Sequence, residues 1–399
     1  MSAERRGFST RSIHLHTESP SIPSEAISPA IVQTSSFAFD SMTELDAVAG
    51  DSGKGYAYSR LKNPTTDLFE ESVADLEGAE EGVAFASGMA AIHATMLGLV
   101  SSGDHIVAPR TLYGGSHALF THLFPRLNIG VTFVPNDDLE AVGRAIQKNT
   151  KVVYAETLTN PTLEVADLPA LADLAHRHGQ AFVVDSTLAS PALCRPIEHG
   201  ADIVIHSASK YLGGHGDLIA GVVVGPKRHL RTIRKMNLLV GGACAPFVAW
   251  LVVRGIKTLG LRMAQHCKNA RAVAEFLREQ PGVETVHYPG LPDHGTHDRA
   301  RALLDVGFGA MVSFVASGGR PAATALLDRL ELFKRAGSLG DAHSLALLPA
   351  LASHRSFSAE ERANAGIPDG FVRLSIGLEE AEDLCADLQA GLEAARNAG

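Results

Sequence analysis

The chain reads as an α/β protein, a mainly parallel central sheet with helices on both faces, followed by a smaller α+β region. Three observations predict this. Brief β-branched runs such as "HIVAPR" (105–110), "TKVVYAET" (150–157) and "AFVVDS" (181–186) are apolar throughout, as strands covered on both faces must be. Segments of helical spacing, such as "LPALADLAHRHG" (168–179), separate them, and strict βα alternation selects a parallel sheet. Beyond residue 255 strands and helices no longer alternate, which is the α+β signature.

In chain order, residues 1–60 are rich in Ser, Pro, Thr and Gly with little periodicity, and are expected to form an extended arm against a neighbouring subunit. "TTDLFEESVADLEGA" (65–79) has helical spacing and stops at Gly78. "EGVAFASGMAAIHATMLGLV" (81–100) reads as strand, tight turn and helix, and "GVTFVP" (130–135) and "DIVIHSAS" (202–209) add strands to the series. These elements make 61–255 one cofactor-binding unit. Residues 256–399 form the second, with a long helix over 260–280 and then "VETVHYP" (283–289), "AMVSFVA" (310–316), "ATALLDRLELF" (323–333) and "FVRLSIGLE" (371–379).

Composition narrows the function. The 399 residues are 45% hydrophobic and 20% charged, enough for a sizeable core, and the net charge of −9 argues against nucleic acid or an anionic membrane as partner. A small molecule is the expected ligand. The four cysteines, Cys194, Cys244, Cys267 and Cys385, form no Cys-x-x-Cys pair, which fits reduced cytoplasmic thiols better than zinc or disulfides. The basic start lacks an apolar segment behind it, and no apolar run reaches the length of a membrane span. The close histidines His14/His16, His176/His178 and His294/His297 lack the carboxylate support of a metal set, so no metal is expected.

Ligands of open α/β sheets sit outside the carboxyl ends of the strands, so the residues there carry the information. Ser87, Gly88 and Met89 open a helix after a strand, where backbone N–H groups and the helix dipole favour phosphate; plain turn chemistry is the alternative. Ser207 and Ser209 offer further donors or helix caps. Asp185 ends a buried strand and either caps the next turn or pairs with a protonated ring nitrogen. Lys210 follows in "HSASKYLGGHGD" (206–217), where burial lowers an amine's pKa and makes it a nucleophile toward an aldehyde. A phosphate cradle, a strand-end aspartate and a desolvated lysine are together what pyridoxal 5'-phosphate requires. Tyr113 has a ring to stack and a hydroxyl for acid–base work, or simply packs. Tyr56 and Arg60 stand on the irregular arm, where an arginine grips an anion or is merely solvated. Arg373, inside an apolar strand, calls for an anion: a substrate carboxylate or an internal salt bridge.

The blocks "STRSIHL" (9–15), "YSRLKNPT" (58–65), "FASGMAAI" (85–92), "LYGG" (112–115), "ETLTNPTLEVADL" (156–168), "VVDSTLASP" (183–191), "RGIKTLGLRM" (254–263), "SLGDAHSL" (338–345) and "VRLSIGLEE" (372–380), with the lysine block, resemble in their order the trans-sulfuration enzymes. That is the pyridoxal-phosphate-dependent Cys/Met metabolism family, and within it the likeness is closest to methionine γ-lyases, then cystathionine γ-lyases. The resemblance implies an aspartate-aminotransferase-like fold (fold type I), a homotetramer of two active dimers, and γ-elimination of a sulfur amino acid such as L-methionine. Cystathionine γ-lyase and the γ-replacement transferases (cystathionine γ-synthase, O-acylhomoserine sulfhydrylase) are the sister activities. By the same resemblance Lys210 is the Schiff-base lysine and proton carrier, Asp185 the partner of the ring nitrogen, and Tyr113 the stacking tyrosine that assists the leaving group. Gly88, Met89, Ser207 and Ser209 match the phosphate cup, completed by Tyr56 and Arg60 of the neighbouring subunit. Asn160, Ser338 and Arg373 match the positions that hold the substrate carboxylate or the cofactor's ring oxygen. The sequence departs from the usual methionine γ-lyase pattern at Gly115, where a cysteine is common, and at Asn237 and Leu238, where a lysine and an aspartate are. It departs from many cystathionine lyases at Ala57 and Gly337, which replace acids. His343 stands in the "SLGDAESL" block where glutamate is the commoner residue.

Overall fold

The computed structural model describes residues 7–14, 27–49, 55–136, 138–352 and 365–398, together with 355, 358, 360 and 362. Seven strands, β1 (Glu81–Phe85), β2 (His105–Pro109), β3 (Gly130–Val134), β4 (Thr150–Glu156), β5 (Ala181–Asp185), β6 (Ile203–His206) and β7 (Gly221–Gly225), form one sheet in the order β1-β7-β6-β5-β4-β2-β3. Only β7 runs against its neighbours, pairing antiparallel with both β1 and β6. The sheet is therefore mainly parallel, as its apolar strands predict. Its two faces bury separate cores: Phe182 and Val184 of β5 pack on one side, Val183 on the other. Each such residue contributes about 1.5–3 kcal/mol of burial, which is why these strands read as continuous apolar runs.

The helix Pro64–Glu77 shows how local sequence sets an element's ends. Asn63 caps it by accepting the Thr65 N–H at 2.9 Å, proline occupies the first turn, and Gly78 closes it at φ +74. Its last residue, Glu77, meets His206 at 2.6 Å, both fully buried, which ties the helix to the end of β6.

Five further strands, β8 (Val283–His287), β9 (Met311–Ala316), β10 (Lys334–Arg335), β11 (Leu345–Leu347) and β12 (Phe371–Ser375), form a second sheet in the order β10-β11-β12-β9-β8, antiparallel except for β10 with β11. The helices Gly319–Arg329 and Ala381–Ala398 pack over it around a core of their own. The long helix expected over 260–280 is present as Leu259–Arg278, and a separate helix, Pro246–Ile256, precedes it.

The first sixty residues are less extended than their composition suggests. Phe8–Ile13 and Met42–Ala49 are helical, and at the start of the second Ser41 Oγ accepts the Glu44 N–H while Glu44 Oε2 accepts the Asp40 N–H, each at 3.1 Å. Residues 29–32 lie along their own chain: Trp250 donates to the Pro29 carbonyl at 3.0 Å, and Thr65 Oγ1 accepts the Val32 N–H at 2.9 Å. His16 and much of the remaining arm lie outside the described residues. Among the described residues, no helix is long and apolar enough to cross a membrane.

Candidate active site

β4, β5 and β6 end side by side, and a cavity of about 390 Å³ opens beyond their carboxyl ends. Register makes the floor: Glu156, the last residue of β4, is the direct partner of Asp185, the last residue of β5, and both carboxylates line the cavity. Asp185 is held by the Thr187 N–H, which donates to Oδ1 at 3.0 Å. Burial pushes its pKa up, against the opposing effects of Thr187 and His206. A buried strand-end carboxylate without a bonded cation among the described residues suits a protonated ring nitrogen above it.

One wall is the start of the helix Gly88–Leu99. Ser87 is its N-cap, its Oγ accepting the Ala90 N–H at 3.1 Å, so this hydroxyl serves the helix first. A Cβ at Gly88 would stand 2.8 Å from Ser207 Cβ and 3.1 Å from its Cα, so glycine is what lets the helix end and the Ser207 loop approach each other. Ser207 is fixed by its N–H, which donates to Thr187 Oγ1 at 2.8 Å. Ser209 lines the cavity, but its hydroxyl is shared with the backbone of Ala220, donating to the carbonyl at 3.2 Å and accepting from the N–H at 3.0 Å. A helix N-terminus, a close backbone approach and small hydroxyl residues fit a phosphate group.

Lys210 Nζ points across the cavity and donates to Ser338 Oγ at 2.8 Å. Burial first, and then the Arg373 guanidinium, lower its pKa. Arg373 comes from β12 of the second sheet and is 4% exposed. It donates to Asn160 Oδ1 at 3.2 Å and to the Ser338 carbonyl at 2.9 Å, and burial brings its pKa down to about 10. No carboxylate among the described residues pairs with it. The Tyr113 ring borders the cavity and is 43% exposed.

Most of the residues singled out in the sequence thus meet at one cavity. Tyr56 and Arg60 do not. The Tyr56 hydroxyl donates to Asp67 Oδ2 at 2.9 Å, and Arg60 donates to the Leu238 carbonyl at 3.1 Å, both away from the cavity of their own chain. Asn237 is buried with its amide on the Ala84 carbonyl at 3.1 Å, and the His343 side chain is 70% exposed beside Asp341; neither lines the cavity. Glu156 and Thr187 were passed over in the sequence reading. The rule that picks Asp185, a polar residue closing an apolar strand, selects Glu156 equally well.

The donor set, cradle and lysine fit pyridoxal 5'-phosphate, and comparison with known proteins agrees. The family model "Cys/Met metabolism PLP-dependent enzyme" matches residues 9–393. The chain is 44% identical over 396 residues to an L-methionine gamma-lyase of Fusobacterium nucleatum, covering 98% of this chain and 100% of that one. It is 45% identical over 340 residues to a cystathionine gamma-lyase of Bacillus subtilis, covering 85% and 89%. A crystal structure of a putative O-acetylhomoserine (thiol)-lyase from Campylobacter jejuni, which carries N'-pyridoxyl-lysine-5'-monophosphate, superposes with a TM-score of 0.93 at 31% identity, covering 97% of this chain and 100% of that one.

Proposed function

We infer that this chain, which belongs to the Cys/Met metabolism PLP-dependent enzyme family, is a carbon–sulfur lyase that removes the γ-substituent of L-methionine. The reaction consumes one water and gives methanethiol, 2-oxobutyrate and ammonia. One observation carries the choice of substrate. The acidic and basic side chains lining the cavity are Glu156 and Asp185 on its floor, Lys210 and Arg373; the rest of the wall, including Leu218, Ile219, Gly337 and Leu339, is neither. A methylthio group suits that wall. The distal ammonium and carboxylate of cystathionine would lie there without partners, at a cost of several kcal/mol if desolvated.

When bound, pyridoxal 5'-phosphate supplies an electron sink for the bonds at the substrate's α-carbon. The protein's side chains do the rest. Lys210, whose pKa burial lowers, would hold the cofactor covalently, and its amine would carry protons at the substrate's α- and β-carbons. Arg373, with Asn160 and Ser338 beside it, would grip the substrate carboxylate and so orient the α-carbon. Asp185, oriented by Thr187, keeps the ring nitrogen protonated. The Tyr113 hydroxyl donates a proton to the departing sulfur. Gly88, Met89, Ser207 and Ser209 would hold the phosphate together with the helix N-terminus.

Tyr56 and Arg60 complete the phosphate site of a neighbouring subunit, and the working form is a homotetramer of two such dimers. That neither residue lines the cavity of its own chain supports this, as do the exposed apolar side chains Leu239, Phe247 and Leu261. A cytoplasmic site of action fits four cysteines that are all free thiols.

Incubating the purified, cofactor-loaded protein with L-methionine, and assaying methanethiol and 2-oxobutyrate together, tests the reading. Equimolar products, lost in Lys210→Ala, are expected. No product from methionine, with turnover of cystathionine or an acylated homoserine, would assign a sister activity instead.

A further inference from the structure

Glu156 has no part in the chemistry above, yet it is 4% exposed at the centre of the floor. Its Oε1 accepts the Tyr113 N–H at 2.7 Å, and the backbone N–H of Asn160 also bonds its carboxyl. These two residues belong to separate loops, one after β2 and one after β4. Tyr113 opens the short helix Gly114–Ala118, and no side chain caps that helix start. The Glu156 carboxyl is therefore what fixes the backbone beneath the Tyr113 ring.

We propose that Glu156 is a positioning residue: its carboxyl pins the Tyr113 turn and the Asn160 loop to the cavity floor, holding the stacking ring and the carboxylate-binding amide in register with Asp185. The proposal rests on the cofactor reading above. The neighbourhood indicates which form of Glu156 does this. Adjacent strands lie about 4.8 Å apart, so the carboxyls of Glu156 and Asp185 are close neighbours. Burial first, and then the Asp185 charge, push the Glu156 pKa far up, and its Oε2 is buried without a hydrogen-bond partner. Two buried carboxylates side by side do not both ionise. Of the two, Glu156 is pushed further toward its neutral form, and it acts through its acceptor oxygen.

Two substitutions separate reach from charge. Glu156→Gln keeps an acceptor at the same distance and no charge; Glu156→Asp keeps the acid but draws it back by one carbon, about 1.5 Å. Each is loaded with pyridoxal 5'-phosphate and read by visible circular dichroism, which senses the asymmetry of the stacked ring, by kcat and KM, and by the thermal midpoint of the cofactor-free protein. Glu156→Gln is expected to keep the dichroic band within about twofold and kcat within about threefold. Glu156→Asp is expected to lose more than half the band and about 30-fold in kcat, with KM moving less, because a misplacement near 1 Å is that costly. A wild-type band and kcat in Glu156→Asp overturn the proposal. So does a Glu156→Gln variant as impaired as Glu156→Asp while its cofactor-free midpoint is unchanged. The dichroic band needs no substrate, so a wild type that consumes another amino acid leaves this test standing, whereas a wild type with no visible band would sink the cofactor reading itself.

Discussion

Replacing Gly88 with alanine isolates the phosphate cradle from the rest of the site. The new Cβ would stand 2.8 Å from Ser207 Cβ, 2.9 Å from its Oγ and 3.1 Å from its Cα, where ordinary contacts begin at 3.4 Å. Ser207 has little room to retreat, because its N–H is committed to Thr187 Oγ1 at 2.8 Å and it continues directly from the buried strand β6. The helix start and the Ser207 loop must part by several tenths of an ångström. Overpacking of this kind costs the fold about 1–3 kcal/mol. Losing one charge-assisted hydrogen bond to phosphate costs binding about 1.5–3 kcal/mol, roughly 10- to 150-fold in Kd. Titration of cofactor-free protein with pyridoxal 5'-phosphate, followed by the visible band, measures the binding loss, and thermal melting of the cofactor-free protein measures the fold. Wild-type affinity in a Gly88→Ala protein whose melting is also unchanged would refute both the cradle and its role.

Two further outcomes are expected. Arg60→Ala gives up one exposed bond to the Leu238 carbonyl, so a single chain should fold almost as before, while the assembled protein binds cofactor at least about tenfold more weakly for want of a charged phosphate contact; affinity measured above and below the concentration of self-association checks that the loss appears only in the assembly. Asp185→Asn should weaken cofactor binding yet stabilise the cofactor-free protein near neutral pH. The folded pKa of Asp185 is raised by burial, so the folded state disfavours the charge: stability is lost as pH rises from 3.8 through the folded pKa, and the advantage of asparagine in pH-dependent melting should grow over that window.

The elements that carry the site were legible because their signals are local. β-branched apolar runs marked β2 to β5 within a residue and β6 within three, and Gly78 marked the end of a helix. What was passed over divides into two kinds. The Ser41 cap and the buried carboxylate of Glu156 have local signals, hidden among turn residues in the first case and inside a longer family-like block in the second. β7, β10 and β11 are different. "GVVVG" sits among glycines at 221–225, and the last two strands are two and three residues long, too short for periodicity to register.

The amino-acid sequence by itself determined which residue types close the strands, and with them the glycine at the helix start, the strand-end aspartate and the lysine beyond β6, because helix starts, strand ends and turns depend on neighbours in the chain. Tertiary structure alone decided their company. Lys210 reaches Ser338 across 128 residues and Arg373 reaches Asn160 across 213, contacts that exist only when the second sheet docks against the first. Packing likewise decided that Arg373 meets no carboxylate among the described residues, that Ser87 spends its acceptor on a helix, and that Tyr56 and Arg60 turn away from the cavity of their own chain. Such pairings are set by how whole surfaces bury against one another, and nothing in a local pattern of side chains encodes them.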